Sequence, residues 1–322
     1  MAGPLSSGTG RDASRLPLVV VLGASGYIGA AVVRELSRRR LRLRAVARRP
    51  FAVPAGPAVT EAVRADLTEE GGVADAVRGA DAVIHLVAHM TGPGSWRSAA
   101  SDPGAERVNV GLVRDVIAQC AASGGTPPPT LLLASTNQAA DGGPQRSAYA
   151  RQKAAAERYL LDASARGAVR GVALRLPTTV GSEAGAAPAM AGRALSGEPL
   201  TLWHDGTVRR EFLDVSDAAR AFAVALDHAA ALDGRACAVG GHVVALGDLF
   251  RAIADSAARY TGRPPVPVLS VDPPEYAETG DFSDLDVDSS VFRDVTGWRP
   301  EVPLRRAVDD VVSAVARRRA GA

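Results

Sequence analysis

Leu18-Val-Val-Val-Leu22-Gly23-Ala24-Ser25-Gly26-Tyr27-Ile28-Gly29 decides how this chain begins to fold. A short, continuous β-branched run is the pattern of a strand buried on both faces. The segment Ala30–Arg40 then carries Val32, Val33 and Leu36 on one face and arginines opposite, which predicts a helix. Between strand and helix, three glycines recur at every third position. In that setting glycine permits a tight turn, lets the backbone approach a pyrophosphate, and brings helix close to strand. The helix N-terminus adds unpaired N–H groups and a positive dipole end. Gly23, Ser25, Gly26, Tyr27, Ile28 and Gly29 are therefore candidate ligands of a dinucleotide cofactor.

Outward from this stretch, the periodicity alternates. Leu41–Ala47, Val59–Ala65, Ala82–Val87, Thr130–Ala134 and Gly171–Leu176 read as strands. Glu69–Arg78, Glu106–Cys120 and Tyr149–Ala163 read as helices between them. Such alternation over roughly 160 residues predicts an α/β fold, a Rossmann-type doubly wound parallel sheet. After Pro177 the rhythm changes. Leu200–Trp203, Arg210–Val215 and Ala236–Val239 read as short strands, with helices at Ala218–His228, Leu246–Thr261 and Leu304–Arg319. The expected organisation is a disordered tail at 1–14, a dinucleotide-binding domain at 15–176, and a smaller substrate-binding region at 177–322, some of whose elements return to the main sheet.

Composition narrows the function. With 47% hydrophobic and 22% charged residues in 322, the chain has material for a sizeable core. The 37 basic and 35 acidic residues nearly cancel, and the basic ones are scattered, which argues against a nucleic-acid binder. Cys120 and Cys237 form neither a disulfide framework nor a metal-ligand pattern. No apolar run reaches the ~18 residues of a membrane span. A cytoplasmic protein with no metal and no membrane partner is expected. One count stands apart: every basic residue is arginine except Lys153.

Two positions point to cofactor and chemistry. Arg48 and Arg49 follow Gly29 by 19 and 20 residues, where an NAD site would place a carboxylate on the ribose. Guanidinium groups there favour a 2′-phosphate, so NADP(H) is the expected cofactor. Asp66 and Leu67, after the third strand, are placed for the adenine edge. Tyr149 and Lys153 lie four apart, one turn along one helix face. A phenol with a reference pKa of ~10 is a poor proton donor at neutral pH, and a fixed cation nearby is expected to lower it. Ser135 and Thr136 close the Thr130–Ala134 strand, at the edge where parallel sheets meet their ligands.

Glycine turn, Tyr-x-x-x-Lys and strand-end hydroxyl together resemble the extended short-chain dehydrogenase/reductase family, the nucleotide-sugar epimerase/dehydratase group. The likeness runs from Leu16 to Arg317 and includes His85-Leu86-Val87-Ala88, Asn109, Leu174–Gly181, Arg209–Val215 and Thr296–Pro300. It implies Thr136, Tyr149 and Lys153 as catalytic residues. It also implies Leu86, Ala88, Tyr149 and Lys153 at the cofactor, and Ser135, Asn137, Thr178, Arg209 and Arg210 at a nucleotide-diphosphate sugar. Thr178 stands where many relatives have asparagine, and Arg210 matches an arginine on the diphosphate.

The resemblance also orders the chemistries. Sugar 4,6-dehydratases carry Asp-Glu after the threonine, because removing water needs titratable carboxylates. This chain has Asn137-Gln138. Thr136 lies only 13 positions before Tyr149, shorter than in hexose 4-epimerases, and their Val-Tyr-Gly is missing. Asn137-Gln138, the loop Met90–Trp96 and the run Leu200–Thr207 look like ketoreductases that reduce C-4 of nucleotide-linked 6-deoxyhexoses for glycosylated secondary metabolites such as antibiotics. The nucleotide expected on that reading is dTDP. An epimerase and a non-catalytic NADP-binding regulator are the alternatives. A homodimer built on helices Glu106–Cys120 and Tyr149–Ala163 is also implied.

Overall fold

The computed structural model describes residues 16–89, 103–140, 147–181, 186–275, 277, 279–285 and 287–320. Its strands in chain order are β1 (Leu18–Leu22), β2 (Arg42–Ala47), β3 (Val59–Arg64), β4 (Ala82–His85), β5 (Thr130–Thr136) and β6 (Arg170–Leu176). They continue with β7 (Thr178–Val180), β8 (Leu200–Leu202), β9 (Arg209–Asp214), β10 (Arg235–Ala238), β11 (His242–Ala245) and β12 (Val268–Ser270). The main sheet runs β10-β6-β5-β4-β1-β2-β3, and every pair in it is parallel. Order reverses between β1 and β4, so a crevice opens at the carboxyl ends of those two strands.

β1 is buried along its whole length because helices cover both faces. On one face Val32 and Leu36 of helix Tyr27–Ser37 meet Phe222 and Leu226 of helix Val215–Asp227. On the other, Val73, Val116 and Leu160 close the core beneath helices Gly72–Val77, Leu112–Ala122 and Ala148–Ala165. A third cluster joins helices Ala186–Leu195, Leu246–Thr261 and Leu304–Ala320 to β8 and β9. β9 is the middle strand of a small sheet, β11-β9-β7, and β12 pairs with β8. β10, which follows Pro177 in sequence, completes the main sheet beside β6.

Several elements differ from the sequence reading. The first helix starts inside the glycine motif at Tyr27 and stops at Ser37, leaving Arg38–Arg40 outside it. The predicted helix Glu106–Cys120 is a short α-turn, Pro103–Glu106, then a π-helical stretch, Arg107–Gly111, and an α-helix, Leu112–Ala122. β7, β11 and β12, at three or four residues each, are too short to show a period, and helices Ala186–Leu195 and Ser290–Thr296 also went unread. Both cysteines are buried, and burial pushes the Cys120 thiol up to about 12. Among the described residues no helix is long and apolar enough to cross a membrane, and no group of three metal-ligating side chains forms.

Candidate active site

The glycine turn is built as its spacing requires. Gly23 has φ +88°, and the N–H groups of Gly23 and Ala24 both donate to Val46 O at 3.0 Å. A Cβ on Gly29 would stand 2.0 Å from Gly23 O, so only glycine lets the helix pack this close to the strand. Helix Tyr27–Ser37 has no side-chain cap, and Ser25 and Gly26 are exposed beside its first turn. Leu86 N donates to Leu22 O at 3.0 Å, which lays Leu86 against the turn, with Ala88 exposed beyond it. Two of the singled-out side chains face elsewhere. Ile28 packs on the core, and a Cβ on Gly181 would lie 2.0 Å from the Tyr27 hydroxyl, so Tyr27 covers β7's exit.

Arg48 and Arg49 are exposed past the end of β2 and make no ion pair among the described residues. A third arginine joins them: Arg64, at the end of β3, donates its Nε to Arg48 O at 3.2 Å. The Asp66 carboxylate instead accepts from Thr68 N at 2.9 Å and Thr68 Oγ1 at 2.6 Å. Those bonds first, and the Arg48 charge after them, hold it below the usual carboxylate range. The Leu67 side chain packs in the core. Glycines, an uncapped helix start and unpaired arginines along one crevice fit a dinucleotide.

At the far side of the crevice, β5 ends on Thr136, whose Oγ1 accepts from Gln138 N at 3.3 Å and caps the turn Asn137–Ala139. Helix Ala148–Ala165 packs on that turn and on β5. Its N-cap, Ser147, accepts from Ala150 N at 3.2 Å, which sets Tyr149 in the first turn. Lys153 is 2% exposed, with Nζ donating to Ala134 O at 2.9 Å and standing 5.8 Å from the Tyr149 ring centroid. Burial lowers Lys153 to about 8, opposed by the Glu157 charge. Burial also pushes the Tyr149 phenol up to about 12, the reverse of what the Tyr–Lys spacing led us to expect. Loss of water outweighs the cation here, because Lys153 is itself desolvated and directed at a carbonyl.

Two buried asparagines tie the site's elements together. Asn109, in the π-helical stretch, accepts from His89 N at 2.8 Å and donates to His89 O at 3.1 Å and to Gln152 Oε1 at 2.8 Å. It thereby fixes the segment after β4 to the helix bearing Tyr149. Asn137, 2% exposed, donates its Nδ2 to Glu211 Oε2 of β9 at 2.5 Å. Its Nδ2 is thereby committed to β9, while its Oδ1 is buried without a partner among the described residues. Ser135 is likewise buried, its hydroxyl unpartnered and closed to solvent. His85, fully buried on β4 with both ring nitrogens unpartnered, is held to about 3 by burial and then by the Lys153 charge.

In the small sheet, Thr178 is exposed on β7, in register with Phe212. Arg209 is exposed, and its N–H donates to Asp284 Oδ1 at 2.7 Å. Arg210 is half-buried, and its Nη1 donates to Arg209 O at 2.9 Å and to Ser283 O. Burial lowers its pKa while Asp281 and Asp284 oppose that. The loop Met90–Trp96 lies outside the described residues.

A seven-stranded Rossmann-type sheet with a glycine turn after β1, and a Tyr–Lys helix across the switch point, define the fold of a dinucleotide-binding enzyme class. Residues 19–240 match the NAD dependent epimerase/dehydratase family, and the chain belongs to it. The structure of MoeE5 in complex with UDP-glucuronic acid and NAD is 27% identical, with a TM-score of 0.73 over 94% of this chain and 99% of that one. UDP-glucose 4-epimerase of Thermus thermophilus, in complex with NAD, is 25% identical, with a TM-score of 0.73 over 93% and 99%. A 90-residue stretch is 37% identical to dihydroflavonol 4-reductase of Zea mays, and covers 25% of each chain.

Proposed function

We propose that the protein reduces a keto group at C-4 of a nucleotide-linked 6-deoxyhexose, with NADPH as reductant. The observation that carries this reading is the charge at the ends of β2 and β3. Arg48, Arg49 and Arg64 offer three guanidinium groups, against the one Asp66 carboxylate, which accepts from Thr68. That arrangement favours a 2′-phosphate and an exchanging reductant over a retained NAD.

A nicotinamide cofactor, held by the glycine turn and the Arg48–Arg49 end of β2, would supply the hydride for the carbonyl carbon. Tyr149 Oη delivers a proton to the carbonyl oxygen as negative charge builds there, giving the alcohol. With its phenol near 12, Tyr149 is protonated throughout the physiological range, the state a reduction must start from. Thr136 donates its hydroxyl hydrogen to the same oxygen and orients it. Lys153, anchored by Ala134 O, stabilises the phenolate that remains. No carboxylate follows Thr136, and the Asn137 amide is turned to Glu211, so removal of water has no acid–base pair there. Arg210 is proposed to hold the diphosphate, with Arg209 and Thr178 beside it.

A nucleotide-sugar 4-epimerase is the second reading, favoured by the UDP-sugar relatives in complex with NAD. The two separate in one experiment. Incubation with NADPH and thymidine diphosphate-4-keto-6-deoxyglucose should consume NADPH in proportion to alcohol formed. Interconversion of UDP-sugars at C-4 with no net consumption would replace the reduction by epimerisation.

A further inference from the structure

Lys153 ranks among the largest fully buried side chains, and its one hydrogen bond among the described residues is to a neutral carbonyl. An ammonium so placed is costly unless an anion faces it. The ionisable groups around it come from three elements. His85 approaches from β4 as a neutral ring, and Tyr149 is a protonated phenol one turn earlier on the same helix. Glu157 lies one turn later, four residues on and so on the same face. Arg175 reaches Glu157 from β6, where it is in register with Ser135 of β5. Glu157 is the only anion of this set.

Its side chain is 4% exposed, and Arg175 grips both carboxylate oxygens. Nε donates to Oε1 at 3.0 Å and to Oε2 at 3.1 Å, and Nη2 donates to Oε2 at 2.7 Å. A forked contact of this kind fixes the carboxylate in place as well as in charge. We propose that Glu157, clamped by Arg175, is the anion that keeps the Lys153 ammonium charged beside Tyr149, acting through its charge while Ala134 O holds the ammonium. Glu157 is thus a positioning residue. The functional half of this inference rests on the proposed catalytic role of Tyr149 and Lys153. It also bears on the lone lysine: an arginine needs no counter-ion to stay charged, but a buried lysine does.

Because Lys153 is the only lysine, protein labelled with [ε-13C]lysine gives a single side-chain resonance whose pH titration is read directly. The wild-type midpoint is expected near 8. In Glu157→Gln it should fall by about one pH unit, the lower range for loss of a nearby opposite charge. The alkaline limb of turnover should move with it. Glu157→Asp should restore part of the shift. The double variant Glu157→Gln/Arg175→Met leaves no unpaired guanidinium, and should also titrate low if the single variant fails to fold. An unchanged midpoint in either folded protein overturns the proposal. A lowered midpoint together with normal turnover in Lys153→Arg would keep the counter-ion and remove the catalytic reading.

Discussion

Replacing Lys153 with methionine should separate the cost of the site from its use. The lysine falls from 10.5 to about 8 on burial, which at 1.36 kcal/mol per pH unit is about 3 kcal/mol of destabilisation while charged. Methionine removes that cost and fills a similar volume, but leaves Ala134 O without its donor, worth ~1–3 kcal/mol. At pH 7 the variant should therefore match the wild type or exceed it by up to ~2 kcal/mol, from the balance of those terms. The pH dependence carries the sharper signature. The folded-state value lies below the unfolded one, so the wild-type penalty is complete below pH 8 and is relieved as pH rises from 8 towards 10.5. Wild-type stability should gain on the variant across that window. Denaturant titrations of both proteins at pH 7, 8, 9 and 10 measure this, with turnover assayed alongside. Turnover should be lost even where stability is gained. A variant weaker than wild type by more than ~2 kcal/mol at pH 7, or a gap that ignores pH, would refute the reasoning.

Tyr149→Phe keeps the ring and its packing but removes the transferable proton, so turnover should fall by about 10²–10⁴ with cofactor affinity retained; stopped-flow reduction and fluorescence titration check the two halves. Replacing Arg48 and Arg49 together with serine should weaken NADPH by a few kcal/mol, at ~1.5–3 per charge-assisted contact, and leave NADH nearly unchanged in calorimetry. Arg210→Ala should raise KM for the sugar nucleotide with little effect on NADPH binding, since the side chain sits on β9 against Ser283; a defect confined to NADPH would put it on the wrong ligand.

Features set by local geometry were legible in the sequence. Gly29 is demanded by a backbone contact six residues away, and β1 announces two-sided burial with five apolar residues. Helix Leu246–Thr261 occupies the span its periodicity predicts. The Tyr149–Lys153 spacing is legible because one helical turn is a local measure. Contacts between distant residues left no such trace. Asn137 and Glu211 are 74 positions apart, and neither shows in sequence that a buried carboxylate will take the amide. Arg64 reads as an ordinary residue of an edge strand until β3 brings it to Arg48. The π-helical stretch carries Asn109, whose tertiary bonds to His89 periodicity does not encode. The direction of the Tyr149 shift is hidden from the sequence for a related reason: spacing reports the neighbouring cation but not the loss of water around both groups.

The two asparagines show what those distant contacts accomplish. A carboxylate can only accept, so Glu211 obliges Asn137 to present its Nδ2 and fixes the amide's orientation. Asn137 directly follows Thr136, and Glu211 directly follows Arg210, so this one bond joins the strand end proposed for the carbonyl to the strand proposed for the diphosphate. Asn109 does the equivalent on the other side, holding both backbone polar groups of His89 and the side chain of Gln152, next to Lys153. Both amides are buried. A shift of β9 on taking up a substrate would reach Thr136 through Asn137, and a shift of the segment after β4 would reach Tyr149 through Asn109. The hydroxyl and the phenol proposed to converge on one oxygen are thus each braced by an amide from a different part of the chain, and on that proposal the Asn137-Gln138 sequence would serve alignment where a dehydratase would need proton transfer.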